Sequence, residues 1–122
     1  MTPEAALYNF WSGFGIPAYA VASTPEDAEY PYITYELAIG EWGQGEVNTT
    51  ANVWYYTDSE AAPNAKVREI GNAIGLGGKQ LRCDGGTLWL KKGSPWAQSV
   101  PVEGNSSIKR RYLNVDIEYQ TV

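Results

Sequence analysis

Residues 108–119 read Ile-Lys-Arg-Arg-Tyr-Leu-Asn-Val-Asp-Ile-Glu-Tyr, and this stretch decides the fold. From position 112 onward, polar or polar-tipped side chains alternate with apolar ones. This two-residue period is typical of a β-strand with one buried face. We therefore predict a half-buried strand over residues 108–119. Its apolar set is Leu113, Val115, Ile117 and Tyr119, and its opposite set is Tyr112, Asn114, Asp116 and Glu118.

A segment upstream of this strand has the sequence of a β-hairpin, in which two strands pair antiparallel. Asp84-Gly85-Gly86 separates the apolar runs 81–83 and 87–90. An Asp-Gly pair between apolar runs favours a β-hairpin. Residues 94–105 contain two prolines and Trp96, and we predict a loop there.

Two earlier stretches are rich in β-branched and aromatic residues. Residues 30–37 and 47–57 each have the composition of a strand. The glycine-rich residues 40–46 separate them, which predicts a long hairpin. Residues 18–22 add a short strand, and residues 23–29 form a polar, acidic loop.

Two helices complete the pattern. Thr2-Pro3-Glu4 provides a cap, a first-turn proline and a first-turn acid, and an apolar face follows as far as Trp11. The second helix follows the cap signal at residues 58–59. Its apolar residues are Val67, Ile70 and Ile74, at helical spacing.

The order is helix, strand, hairpin, helix, hairpin, strand. Such hairpin-rich order predicts an α+β fold with an antiparallel or mixed β-sheet and two α-helices packed against it. The length of 122 residues suits one domain, so residues 1–122 are predicted to form a single unit.

The chain lacks residues that several classes of catalytic site and metal site require. The chain has no histidine, so it lacks the most common general base and the most common transition-metal ligand. Cys83 is its one cysteine, which has no histidine to form a thiol dyad and cannot make a zinc site without carboxylate partners. Residues 73–80 resemble a phosphate-binding loop, but Gln80 stands where that motif needs a hydroxyl. We predict a protein that is not an enzyme, with no catalytic or metal-binding residues and no cofactor. A hydrolase using a carboxylate pair such as Asp116 and Glu118 is the least favoured alternative.

The sequence also bears on location. Its longest apolar runs are far shorter than a membrane span, and its start lacks the basic and apolar regions of a signal peptide. We therefore expect no membrane partner, and a protein made and used in a cytoplasm or in a particle built there.

Charge is polarised along the chain. Residues 1–65 contain nine acidic residues and no Lys or Arg, whereas residues 66–122 contain nine basic and five acidic residues. The two halves thus carry −9 and +4. We expect an acidic surface to meet the basic surface of a neighbouring copy. The alternative is that both halves mix in space.

Candidate contact residues lie in the charged clusters and in two tryptophan-bearing loops. The basic clusters could instead bind phosphates or protect strand edges, and the tryptophans could instead fold back over their own sheet. The predicted protein-interface residues are Glu41, Trp42, Glu46, Lys91, Lys92, Trp96, Lys109, Arg110 and Arg111.

Segments spread over almost the whole chain resemble the tail terminator (tail-completion) proteins of long-tailed bacteriophages. Beside the N-terminal helix and the helix through residues 67–74, they are 30–36 (YPYITYE), 54–59 (WYYTDS), 90–96 (LKKGSPW) and 111–119 (RYLNVDIEY).

This resemblance implies a structural protein of the virion, located at the head-proximal end of the tail after assembly in the host cytoplasm. A ring of six copies would cap the tail tube, stop its polymerisation and provide the docking surface for the head connector. DNA would pass through the lumen without specific binding. The alternative within the same phage type is another neck, head–tail connector or tail-tube subunit.

Overall fold

The computed structural model describes residues 1–121 and contains two α-helices. Helix α1 spans Pro3–Trp11, and the Thr2 hydroxyl accepts a hydrogen bond from the Ala5 amide at 3.1 Å, as the cap signal predicts. Helix α2 spans Ala61–Ile74 and ends at Gly75, whose φ of 76° favours glycine.

Six strands form one mixed sheet. Their order across the sheet is β1-β2-β3-β6-β5-β4, and only the β1–β2 pair is parallel. The α+β prediction is confirmed. The strands are β1 Ala18–Ala20, β2 Tyr32–Tyr35, β3 Glu46–Tyr56, β4 Lys79–Cys83, β5 Gly86–Pro101 and β6 Ile108–Thr121.

Strand β6 occupies the middle of the sheet, between β3 and β5. The alternation predicted for it is confirmed, because every second side chain is buried beneath the helices. Those side chains are Leu113, Val115, Ile117 and Tyr119, each at most 2% exposed. Burial of apolar side chains of this size stabilises the fold by about 1.5–3 kcal/mol each.

Both helices pack on the same face of the sheet. Leu7 and Trp11 of α1 and Ile70 and Ile74 of α2 are buried in one core cluster with the sheet. The opposite face carries no helix within residues 1–121, and we call it the open face. No helix in this part of the chain is long and apolar enough to cross a membrane.

The loop predicted over residues 94–105 is wrong for most of its length. Strand β5 continues to Pro101, and Ala97–Pro101 pair with β6 after an irregularity between Lys92 and Ala97. The neighbouring β6 supplies hydrogen-bond partners that a local sequence pattern cannot reveal. Prolines within a strand are tolerated at such a bulge or at a strand end.

The two charged halves interleave instead of separating. Strand β3, from the acidic half, pairs along its length with β6 from the basic half. Lys91 Nζ lies 2.7 Å from Glu46 Oε1, and Arg111 Nη2 lies 3.0 Å from Glu60 Oε2. The expectation of two distinct charged surfaces is therefore wrong for the middle of the molecule.

Candidate assembly surfaces

One end of the open face carries a row of rings across four strands. Tyr19, Tyr32 and Trp54 lie side by side on β1, β2 and β3. The Tyr32 and Trp54 rings stack with centroids 6.2 Å apart, at an interplanar angle of 20°. Arg110 of β6 places its guanidinium carbon 5.2 Å from the Trp54 ring centre and 5.7 Å from that of Tyr112. We call these five residues the aromatic row.

The strand register produces this row. Tyr32 pairs with Trp54, and Trp54 pairs with Arg110, so all three point to the open face at one level. Trp54 donates from Nε1 to Thr34 Oγ1 at 2.9 Å, and Arg110 donates from Nε to Asn52 Oδ1 at 2.7 Å. These bonds fix the planes of the indole and the guanidinium.

The other end of the open face is polar, and Lys91 at its centre is paired within the chain. Lys91 bonds to Glu46 at 2.7 Å and to Glu118 at 3.3 Å, and its Nζ lies 4.0 Å from the Trp89 ring centre. The hydrogen bond to Glu46 raises the pKa of Lys91. Of the predicted interface residues, Glu46 and Lys91 thus bind one another.

A cleft of about 620 Å³ lies between α2 and the distal part of β5. Arg111 forms its floor and is only 5% exposed. Its guanidinium donates to Asn64 Oδ1 at 3.0 and 3.2 Å, to Ser99 Oγ at 3.1 Å and to Glu60 Oε2 at 3.0 Å. We call this cavity the α2–β5 cleft.

Trp96 lines the cleft, and cations surround it. The indole rests on α2 at Gly71, where a Cβ atom would lie 3.1 Å from Trp96 Nε1. Arg68 and Lys92 line the cleft and form no ion pair among the described residues. With Arg111 they set three cations against the single carboxylate of Glu60, so the cleft favours an anionic group.

Trp42 also packs on its own chain. Its ring meets Tyr119 edge-on, with centroids 5.5 Å apart, and it covers Gly85 and Gly86 at the tip of the β4–β5 hairpin. Trp42 therefore packs over the sheet of its own chain, whereas Trp96 packs on α2. Glu41, beside Trp42, is exposed.

The three consecutive cations of β6 do not form one cluster. Arg110 points to the open face, whereas Lys109 and Arg111 point to the helix side. Lys109 donates to the Ser106 carbonyl at 2.6 Å, and Arg111 is held by the α2–β5 cleft. The three cations therefore lie in three different environments and do not form a single basic patch.

Residues 1–121 contain no group of three or more Cys, Asp or Glu side chains placed to hold a metal ion. Burial, and then the nearby Asp84, raises the pKa of the Cys83 thiol, which makes it a weaker nucleophile at neutral pH. Glu118 bonds to Lys91, so the Asp116–Glu118 pair does not stand free.

Inspection of the sequence missed two features. Tyr32, Trp54 and Arg110 become neighbours only through register, although each occupies an alternate position of its strand. Arg68 lies on α2, and nothing local in the sequence connects it with Lys92 across the cleft. Matching the outward positions of paired strands would have found the aromatic row.

Comparison with known proteins gives a likeness in structure. The sequence matches no protein-family model and no curated protein. The fold is similar to that of a chain in the solved structure of the virion of a native gene transfer agent (GTA) particle. The TM-score is 0.64 and the identity 18%, and the match covers 95% of this chain and 92% of the other.

Proposed function

We propose that this protein is a structural subunit of a phage-like virion, and specifically a tail terminator. In this role six copies form a ring that caps the tail tube, stops its polymerisation and provides the docking surface for the head connector. The observation that carries the proposal is the likeness to a virion chain, which extends over nearly the full length of both chains. A match of this extent concerns the whole domain and not a shared motif.

The surface chemistry supports an assembly role. The aromatic row presents partly exposed rings, with Tyr30 and Tyr56 beside it at 38% and 62% exposure. Aromatic side chains and arginine are enriched at protein–protein contacts. The α2–β5 cleft lies on the other face of the sheet. A closed ring needs two different patches on each subunit that complement one another, and the α2–β5 cleft offers one of them.

The proposed partners are further copies of this chain, the tail-tube protein and the head connector. The location is the head-proximal end of the tail, reached after assembly in the host cytoplasm. A chain of net charge −5 suits a lumen through which DNA passes without being bound. Among the predicted interface residues, Lys92, Trp96 and Arg110 are those we assign to contacts through these two surfaces. Glu41, Trp42 and Lys109 remain predicted contacts.

Native mass spectrometry and negative-stain electron microscopy test the role. The purified protein is examined alone and after mixing with tail tubes of the phage that encodes it. We expect one ring of fixed copy number at one tube end, and no further growth of capped tubes. A protein that polymerises without limit would be a tube subunit, the alternative of the same phage type. A strictly monomeric protein that ignores tube ends would contradict the proposal.

A further inference from the structure

We propose that the α2–β5 cleft receives the acidic turn at residues 24–29 of a neighbouring copy. This inference rests on the proposed ring and specifies the contact between its subunits. The cleft supplies fixed positive charge, and the turn supplies fixed negative charge on an exposed loop.

The cleft retains capacity for an anion after its internal bonds are counted. A guanidinium has five N–H donors. The four bonds from Arg111 use Nε, both donors of Nη2 and one of Nη1. The second N–H of Nη1 has no acceptor among the described residues. Arg68 and Lys92, on either side, have no carboxylate partner there.

The acidic turn has complementary properties. Glu26, Asp27 and Glu29 are all exposed, and none forms an ion pair within residues 1–121. A hydrogen bond of 3.2 Å from the Ala28 amide to the Pro25 carbonyl closes the turn. A pre-closed turn loses less conformational entropy on binding than a flexible loop does.

Five of the eleven other carboxylates form ion pairs within the chain. Glu46 and Glu118 bind Lys91, Glu60 binds Arg111, and Glu69 binds Lys66. Asp84 binds the terminal amine of Met1. The turn at residues 24–29 carries three unpaired acids within four positions, a density that no other described segment reaches.

The two surfaces are placed for a head-to-tail contact. The turn follows β1, at one edge of the sheet, and the cleft borders β5. Four strand spacings separate β1 from β5, which amounts to about 19 Å at ~4.8 Å each. A contact between unlike patches on opposite sides of a subunit is heterologous and forms a closed ring when its rotation closes.

Charge reversal on each side tests the contact. One variant combines Arg68→Glu with Lys92→Glu, and the second combines Glu26→Lys with Asp27→Lys. A third chain carries all four substitutions. The matched control is Lys79→Glu with Arg82→Glu, which makes the same charge change on β4, away from the cleft. Thermal unfolding establishes that each variant is folded, and native mass spectrometry with tail tubes measures ring formation.

We expect each cleft or turn variant to lose ring formation at least tenfold, while the control assembles as wild type does. The chain with four substitutions should regain ring formation. Rings that persist in both two-residue variants, or a loss that the four-substitution chain does not reverse, would overturn the cleft contact while leaving the ring intact. If the wild-type protein forms no ring on tubes, the proposed function fails, and this contact fails with it.

Discussion

The indole of Trp96 lies against the backbone of α2 at Gly71, and a Cβ atom at Gly71 would sit 3.1 Å from Trp96 Nε1. Most residues at this point of the helix would push the indole away. Trp96 lines the α2–β5 cleft, and Gly71 is buried beneath it. A glycine inside a helix ordinarily costs about 0.5–1 kcal/mol relative to alanine. Here the absence of a side chain at Gly71 leaves room for the Trp96 indole.

Replacing Gly71 with leucine should displace Trp96 and lower the free energy of unfolding by about 1–3 kcal/mol, as overpacking does. Chemical denaturation measures the stability, and tryptophan fluorescence should shift to the red as the indole becomes more exposed. Ala73→Leu, on the exposed side of the same helix, is the control and should change stability by less than about 0.5 kcal/mol. Equal effects at both positions would contradict the packing of Trp96 on Gly71.

Arg111 should matter more for its side-chain volume than for its hydrogen bonds. Its stem is buried, whereas its partners Asn64, Ser99 and Glu60 are all exposed and can bond to water when the guanidinium is removed. We expect Arg111→Met to change the free energy of unfolding by less than about 1 kcal/mol. Arg111→Ala should cost about 2–4 kcal/mol through lost packing. Urea denaturation of both variants separates the contribution of packing from that of the hydrogen bonds. If the Met variant is as unstable as the Ala variant, the hydrogen bonds of Arg111 are what stabilise the fold.

Trp54 and Thr34 should show a measurable coupling. The indole N–H donates to the Thr34 hydroxyl, which is only 7% exposed as a residue. We expect Trp54→Phe to cost about 1 kcal/mol or more, because it removes the donor and leaves a buried hydroxyl behind. In the Thr34→Val background the same substitution should cost about 0.5–1.5 kcal/mol less. A double-mutant cycle by urea denaturation measures this difference, and purely additive effects would rule out the bond.

The fold could be predicted where the signal is local. Thr2 caps α1, the Asp-Gly pair makes the β4–β5 hairpin, and β6 buries every second side chain. The extension of β5 to Pro101 could not be predicted, because it depends on hydrogen bonds to β6, whose central place is a matter of topology.

The candidate surfaces were less predictable for the same reason. Lys91, Lys92, Trp96 and the cations of β6 were identified as residues, but their partners were not. Strand pairing placed Lys91 beside Glu46 and brought Arg110 over Trp54. Helix packing placed Arg68 across the cleft from Lys92. These contacts join residues distant in sequence, so no local pattern records them.

Cys83 should react slowly with alkylating reagents. Burial raises the pKa of its thiol, and Asp84 adds to the effect. At pH 7.5 the folded protein therefore holds less thiolate than an unfolded chain, whose thiol pKa is about 8.5. Iodoacetamide labelling should be slower in the native protein than in urea, and the native rate should still rise above pH 8.5. Because the folded state keeps the proton longer, stability should also fall as pH rises above about 8.5. A native rate equal to that in urea would contradict the shift.

The edge strand β4 should rely on its cations to remain unpaired. It lies at one end of the sheet, and Lys79 and Arg82 are both exposed on it. Charged side chains on an edge oppose pairing with the edge of another copy. Replacing both with threonine keeps good strand propensity and removes the repulsion, so we expect concentration-dependent association, measured by light scattering and by analytical ultracentrifugation. Lys79→Glu with Arg82→Glu is the control, because it changes the same two residues but keeps charge on the edge, and it should cause no such association. If the β4 variant associates no more than wild type at any concentration, the two cations do not protect this edge. The next feature to remove would then be the hydrogen bond of 2.7 Å from the Asp84 amide to the Met1 carbonyl.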